Sequence, residues 1–270
     1  MIREHAAPKH IQILTGLMTC PKCEGKGTFT NGTLATEGID KGYPIKFTCG
    51  CEVLKLWWML LRKNVPLHDV DIFLSQLIPS SKSRLKLDKQ KEIIEYMKAN
   101  PNQSYAFFGP AGTSKTTYGV ALYENVLWNY VAKYWTDRNG AHQPTIWRKS
   151  AKYLLDEFVN FSTSKEVGGK AAKEPSVNRR IIEKAARYGK TPRLFLEEID
   201  KTRYTEFKTA QVFELFDAIY ENNGRLVFNS NLTPEEFEKQ FFRASDAEAL
   251  VRRITEAGKV FNFHEEGWTE

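Results

Sequence analysis

The stretch SYAFFGPAGTSKTT, residues 104–117, decides which fold the rest of the chain can adopt. Its first five residues form a short apolar, aromatic strand, and the residues after Lys115 are apolar nearly all round a helix. Between them, Gly109 and Lys115 have the spacing of a phosphate-binding loop, G-x-x-x-x-G-K-[ST]. Thr116 completes the motif, whereas Ser114 replaces its second glycine. The stretch therefore predicts a strand, a phosphate-binding loop and a buried helix.

The loop would bind a nucleoside triphosphate through its backbone. Unpaired N–H groups at the start of a helix point to one spot, and the helix dipole makes that spot positive. Lys115 would reach the β- and γ-phosphates, and the hydroxyl of Thr116 would coordinate Mg²⁺. We therefore predict a site for ATP and Mg²⁺ formed by Gly109, Pro110, Ala111, Gly112, Thr113, Ser114, Lys115, Thr116 and Thr117.

Ser114 bears on how well this loop works. If the backbone at Ser114 needs a positive φ, its β-carbon costs roughly 1–2 kcal/mol. That carbon would also crowd the phosphates. At about 1.4 kcal/mol per factor of ten, the loss weakens binding or slows turnover by about tenfold and leaves the fold intact. The sequence predicts a nucleotide site that hydrolyses ATP slowly.

Two later strands supply polar groups for the same site. RLFLEEID, residues 193–200, offers two acids after its apolar residues: Glu197, which would hold the water shell of Mg²⁺, and Glu198, which would orient the attacking water. RLVFNSN, residues 225–231, ends in Asn231, our candidate sensor of the γ-phosphate. We expect the strand of residues 225–231 to lie in the sheet between the strand SYAFF and the acidic strand RLFLEE. The alternatives are a solvated strand end for the acids and an ordinary residue before a helix for the asparagine.

Strands alternate with helices from about residue 84 to a last strand at Lys259–Phe263. This order predicts an α/β fold with a parallel sheet sandwiched by helices. Thr233, Pro234 and Glu236 predict a capping box at the start of one helix. We divide the chain into a zinc-binding domain at 1–52, a helical linker at 53–83 and an ATPase domain at 84–270.

All four cysteines lie within one short segment, as the pairs Cys20-Pro-Lys-Cys23 and Cys49-Gly-Cys51. Four thiolates in two close pairs suit one tetrahedral Zn²⁺ of structural type. Two disulfides are the alternative, which an intracellular chain disfavours. The sequence therefore predicts a small N-terminal zinc-binding domain.

The composition is that of a soluble globular protein of 270 residues, 41% hydrophobic and 27% charged. The first twenty residues lack the layout of a signal peptide, and the most apolar run, Val53–Leu61, is far shorter than a bilayer span. We expect a cytoplasmic protein with no membrane association. The net charge of +6 mildly favours a polyanionic partner such as nucleic acid.

With these elements in order, the chain from about residue 84 to 264 resembles the AAA+ ATPases, in particular DnaC/DnaI-type helicase loaders and IstB-type transposition helpers. GPAGTSKTT is similar to their GPxGTGKT loop, and VFNSNLTPEEF is similar to their sensor segment. ALVRRI, residues 249–254, resembles the segment with their arginine finger, which aligns best with Arg253 and next best with Arg252. The segment CPKCEGKG…CGC is similar to the front part of DnaI-like loaders. This chain departs from the family at Ser114 and Glu197, and in a longer stretch between the loop and the acidic strand.

The resemblance implies ATP-controlled loading of a hexameric replicative helicase onto single-stranded DNA, with the front domain contacting the helicase. It also implies a homo-oligomer in which Arg253 completes the ATP site of the neighbouring subunit. Three alternatives stay open: a transposition helper acting on duplex DNA, a helicase like those of superfamily 3, and a nucleotide-binding zinc scaffold without useful hydrolysis.

Overall fold

The computed structural model describes most of the α/β region and parts of the N-terminal region. The described residues are 28–34, 44–48, 50–66, 72–135, 146–152, 154–156, 193–241 and 258–264, with Lys22, Glu24, Lys26, Asp69, Glu248, Arg252 and Glu256. The chain forms two compact units. One comprises Met1–Lys63 with Leu127–Gly140, and the other comprises Asn64–Val126 with Ala141–Glu270.

The first unit contains a small antiparallel sheet and a helix. Strands β1 (Thr28–Leu34) and β2 (Pro44–Thr48) pair with Phe29 opposite Phe47. Helix α1 (Gly50–Asn64) follows, and its Trp57 is buried with its ring edge-on to that of Trp128, 5.8 Å between centroids. The predicted domain boundary at residue 52 falls inside α1, and the division into 1–52, 53–83 and 84–270 stays a prediction.

The second unit is built on a five-stranded sheet in which every neighbouring pair is parallel. The spatial order is β4-β5-β6-β3-β7. The strands are β3 (Ser104–Phe108), β4 (Ile146–Ser150), β5 (Arg193–Glu197), β6 (Arg225–Ser230) and β7 (Gly258–Asn262). The predicted α/β fold with a parallel sheet flanked by helices is confirmed.

Helices alternate with these strands. They are α2 (Leu87–Ala99), α3 (Lys115–Trp135), α4 (Glu206–Glu221) and α5 (Pro234–Lys239), with short 3₁₀ turns at Leu74–Gln76 and Ile199–Lys201. The predicted capping box at α5 is confirmed, since Thr233 accepts a hydrogen bond from the amide of Glu236 and the Glu236 side chain accepts one from the amide of Thr233. These two bonds satisfy N–H groups that a helix start leaves without partners.

Strand β3 is the centre of this unit, and all five of its residues are buried. It lies between β6 and β7, so that β6 separates it from β5, as we expected. Stacked rings join it to β7, with Phe107 and Phe261 5.8 Å apart between centroids. The core on the other face includes Ala106, Phe108, Leu194, Leu196, Phe216, Phe228 and Phe237. The parallel register brings the carboxyl ends of β3, β5 and β6 to one edge of the sheet.

Among the described residues, none of the helices combines the length and apolarity needed to cross a bilayer.

Candidate nucleotide-binding site

The loop from Gly109 to Ser114 connects β3 to α3 at the carboxyl edge of the sheet. Gly109 has a φ of +149°, and a β-carbon there would lie 2.6 Å from the β-carbon of Phe263, so that glycine alone fits. Its amide donates to the carbonyl of Ser230 at the end of β6. Gly112 has a φ of +89°, and its carbonyl accepts a hydrogen bond from the Arg84 amide at 2.9 Å. Neighbouring chain segments therefore hold the loop at its first residue and at Gly112.

Ser114 has a φ of +66°, in the left-handed region. The condition under which its β-carbon causes strain is therefore met. The Ser114 carbonyl accepts the amide of Tyr118 at 3.0 Å, so the residue already forms part of the first turn of α3. Ser114, at the position where the motif has glycine, is thus the residue directly before α3, which begins at Lys115.

Lys115 is buried, and its ammonium folds back onto the loop. Its Nζ donates to the carbonyls of Gly109 (2.5 Å) and Pro110 (2.7 Å), and lies 3.4 Å from Oγ1 of Thr113. Burial lowers the pKa of Lys115 to about 8, against the opposing effect of the negative charge of Asp200. These hydrogen-bond partners are neutral oxygens, so a phosphate would supply the anion that the buried ammonium lacks.

Thr116 is exposed in the first turn of α3, and Thr117 is half-buried. An accessible hydroxyl next to Lys115 fits a Mg²⁺ ligand. The loop therefore offers the groups that a magnesium–triphosphate needs: backbone N–H groups, one ammonium and one hydroxyl.

Glu197, at the end of β5, forms an ion pair with Arg148 of β4. The Arg148 side chain is buried and also donates to the carbonyl of Asn64 at 2.5 Å. Burial raises the pKa of Glu197, and the guanidinium of Arg148 opposes that rise. The predicted magnesium-binding acid therefore has a cationic partner of its own, which sequence reasoning did not find.

Glu198 is exposed and has a φ of +51°. Its amide donates to Oδ1 of Asn229 at 2.7 Å. Asn229 is buried near the end of β6, in register with Phe107 of β3. This hydrogen bond ties the backbone just after β5 to β6.

Asn231 is held by Asp200, two residues beyond Glu198. The Asn231 amide donates to Oδ1 of Asp200 and its side-chain Nδ2 donates to Oδ2, both at 3.0 Å. Nε2 of Gln240 lies 3.4 Å from the Asp200 carbonyl. Asn231, the predicted sensor, is therefore hydrogen-bonded to the turn after β5. The acid that binds it is Asp200, to which the sequence analysis assigned no role.

The other predicted site residues lie largely outside the described part of the chain. Arg253 does so, whereas Arg252 is exposed, with its Nε 3.7 Å from Oε1 of Glu256. Cys20, Cys23 and Cys49 also lie outside the described residues, and Cys51 is buried in the first turn of α1. The zinc site and the arginine finger stay predictions.

A cavity of about 850 Å³ lies elsewhere on this unit, at the amino ends of the strands. It is lined by residues 99–103, which precede β3, and by residues 220, 221 and 223–225, at the start of β6. In open parallel sheets, ligands bind outside the carboxyl ends of the strands. The loop at 109–114, rather than this cavity, is therefore the candidate site.

The sequence analysis named the loop, the acids and Asn231, and it assigned no role to Arg148, Asn229 and Asp200, which the structure pairs with the two acids and with Asn231. Asp200 stands in the quoted segment RLFLEEID, and an acid two residues past a strand end was a usable signal. Arg148 had no comparable signal, because its partner lies on a strand 49 residues later.

Comparison with known proteins gives matches to solved structures only. No protein-family model matches the chain, and no curated protein matches it. It is similar to "Crystal Structure of the DnaI" (14% identity, TM-score 0.47), covering 73% of this chain and 94% of that one. It is also similar to "Crystal structure of the DnaC helicase loader" (16% identity, TM-score 0.47), covering 72% and 98%.

A third similar structure is AMPPCP-bound DnaA from Aquifex aeolicus (16% identity, TM-score 0.42). The match covers 71% of this chain and 49% of that one, so this chain spans about half the length of DnaA. At these identities the likenesses concern the fold alone.

Proposed function

We propose that this chain binds ATP with Mg²⁺ at the 109–117 loop and hydrolyses it slowly. The observation that carries the proposal is the buried ammonium of Lys115, which lies against a strained turn between β3 and α3 and donates to neutral oxygens of that turn among the described residues. The ends of β5 and β6 bring carboxylates and amides to the same edge of the sheet.

The roles of the side chains follow from their chemistry. Backbone N–H groups of the loop would surround the phosphates, and Lys115 would leave its carbonyl partners to neutralise them. Thr116 would coordinate Mg²⁺, which draws charge from the phosphates. Glu198 is the acid with an exposed side chain and would orient the attacking water, and Asn231 would contact the terminal phosphate.

The test is a titration of the full-length protein with a fluorescent ATP analogue, followed by phosphate release under saturating ATP. The variant Lys115→Met should lose binding, because it keeps the aliphatic stem and removes the charge. Lys208→Met is the matched control, since Lys208 pairs with Asp156 away from the loop. A parent protein that shows no saturable binding would refute the proposal.

We further propose that the bound nucleotide controls loading of a replicative helicase onto single-stranded DNA. The support is the motif resemblance of the loop, the sensor segment and the ALVRRI segment to helicase loaders, together with the net charge of +6. The test is co-purification with the host's replicative helicase with and without ATP. Equal recovery for the parent and Lys115→Met would refute nucleotide control of that interaction.

The same resemblance supports a homo-oligomer in which Arg253 reaches the neighbouring ATP site. Arg253→Ala should then lose ATP turnover while keeping ATP affinity, and mixing it with Glu198→Gln should restore activity. Absence of recovery in the mixture would count against a shared site.

A zinc-binding front domain is also part of the proposal. We expect about one zinc per chain by elemental analysis, for four thiolates around one ion. Cys51→Ser should lower that content, and a metal-free parent would exclude the zinc domain.

A second candidate function is a nucleotide-binding scaffold without useful hydrolysis. The ion pair between Glu197 and Arg148 favours it, because the acid expected to serve Mg²⁺ already has a cation. Tight binding of ATP with no phosphate release above the Lys115→Met background would favour the scaffold over the ATPase.

A further inference from the structure

The acidic turn after β5 is tied to the end of β6 at two points. At the first, the Glu198 amide donates to Oδ1 of Asn229. At the second, the backbone amide and the side-chain Nδ2 of Asn231 each donate one hydrogen bond to Asp200, one to each carboxylate oxygen. We propose that Asp200 is a positioning residue that sets the orientation of Asn231 toward the terminal phosphate, an inference that rests on the proposed ATP site.

The orientation follows from the chemistry of the two groups. An ionised carboxylate only accepts hydrogen bonds, so the Asn231 side chain must turn its NH₂ group, and not its oxygen, toward Asp200. One N–H of that group is then bonded to Asp200, and the other remains to contact a phosphate oxygen. Without Asp200, the amide is free to turn over and present its oxygen, which phosphate repels.

Asp200 is itself held in place. It lies in the 3₁₀ turn Ile199–Lys201. In this turn Ile199 is buried, and its carbonyl accepts a hydrogen bond from the Tyr204 hydroxyl at 2.9 Å. Hydrogen bonds to a charged group are the stronger kind, and two of them on one side chain fix both its position and its rotation. The bond to the Asn231 backbone amide alone would join the two segments, so the second bond, to Nδ2, serves to orient the Asn231 side chain.

The experiment is the variant Asp200→Asn in the full chain. The new amide accepts only one of the two hydrogen bonds and meets the other donor with its own NH₂ group. We expect ATP turnover to fall by about tenfold to a hundredfold, the loss expected for one hydrogen bond to a charged group. Affinity for ADP should remain within about threefold, because ADP lacks the phosphate that Asn231 contacts.

Three comparisons separate positioning from a general loss of structure. Asp156→Asn removes an acid paired with Lys208, outside the site, and should leave turnover unchanged. Asn231→Ala should lose turnover to a similar extent, and adding Asp200→Asn to it should produce no further loss. Full additivity of the two changes, or an Asp200→Asn protein with parental turnover, would overturn the inference.

If the protein binds ATP without hydrolysing it, nucleotide affinities test the role of Asp200 in place of turnover. The ratio of affinities for a non-hydrolysable ATP analogue and ADP should fall toward one in Asp200→Asn, and an unchanged ratio would refute positioning. If the parent binds neither nucleotide, the proposed ATP site fails. If the parent binds and Asp200→Asn discriminates like the parent, only the role of Asp200 fails.

Discussion

Replacement of Ser114 by glycine tests whether strain in the loop limits nucleotide binding. The residue has a φ of +66°, which glycine adopts without strain. In the proposed site, this left-handed turn is the conformation that would bind the triphosphate, and strain at the β-carbon favours other conformations of the free loop. Strain therefore lowers the fraction of molecules that are ready to bind, and the apparent dissociation constant rises by the same factor.

The magnitude follows from the backbone angle. A β-carbon in the left-handed region costs about 1–2 kcal/mol, which sets the upper limit of what glycine relieves. Glycine also gains entropy in the unfolded chain, about 0.4–1 kcal/mol, which offsets part of the gain in stability. We expect Ser114→Gly to bind ATP about three- to tenfold more tightly, with a free energy of unfolding higher by at most about 1.6 kcal/mol.

The assay pairs a fluorescent-nucleotide titration with urea unfolding of the same preparations. Ser114→Ala keeps the β-carbon and loses the hydroxyl, so its affinity should match that of the parent. Asn223→Gly relieves a positive φ of +51° outside the site and should leave affinity unchanged. Equal affinities of Ser114→Gly and the parent would refute the reasoning, and equal gains in Ser114→Gly and Ser114→Ala would assign the effect to the hydroxyl.

Three further predictions follow from named groups. Gly109→Ala should lower the free energy of unfolding by about 1–3 kcal/mol, because the new β-carbon would collide with Phe263 at a residue with positive φ. Gly119→Ala is the control: the new β-carbon has open space in α3 and should raise the free energy of unfolding by up to about 1 kcal/mol. Similar urea midpoints for the two variants would contradict this. Burial raises the pKa of Glu124 to about 7, above its ordinary value of 4.5, so the native protein binds the extra proton and stability should fall as pH rises from 4.5 to 7, by about 3 kcal/mol at most. Glu124→Gln should remove that slope in urea titrations at pH 5 and 8, and parallel curves for both proteins would exclude Glu124 as its source. The pKa of Lys115 is about 8, and a bound phosphate favours its charged form. ATP affinity should therefore be constant below pH 8 and fall by up to about tenfold per pH unit above it. An affinity that stays constant to pH 9.5 would count against Lys115 as a ligand of the phosphates.

The fold was predictable because its signals are local. SYAFF is a strand with the bounds that the sequence indicated, and the loop that follows it marks the start of α3. The alternation of strands and helices then fixed a parallel sheet, and the motif order placed β6 between β3 and β5.

The contacts within the site were less predictable because they depend on partners far apart in the chain. The ion pair of Arg148 with Glu197 joins two neighbouring strands, and no local pattern distinguishes this arginine from others. Asp200 and Asn231 were both visible, but their pairing requires the turn after β5 to lie against the end of β6. The motif raised a positive φ at Ser114 as a condition, which the structure meets, whereas the positive φ at Glu198 had no sequence signal.

The central position of β3 has a consequence for how the protein is made. Its two neighbours, β6 and β7, are synthesised last among the strands, and the amide of Leu226 bonds to the hydroxyl of Ser104, 122 residues earlier. A ribosome-bound chain that ends before residue 225 therefore carries the phosphate loop on a strand with both edges unpaired. Such long-range pairing slows folding and leaves apolar edges exposed to other chains. At the proposed ATP site, nucleotide would therefore stabilise the chain only after the residues of β6 and β7 have been synthesised.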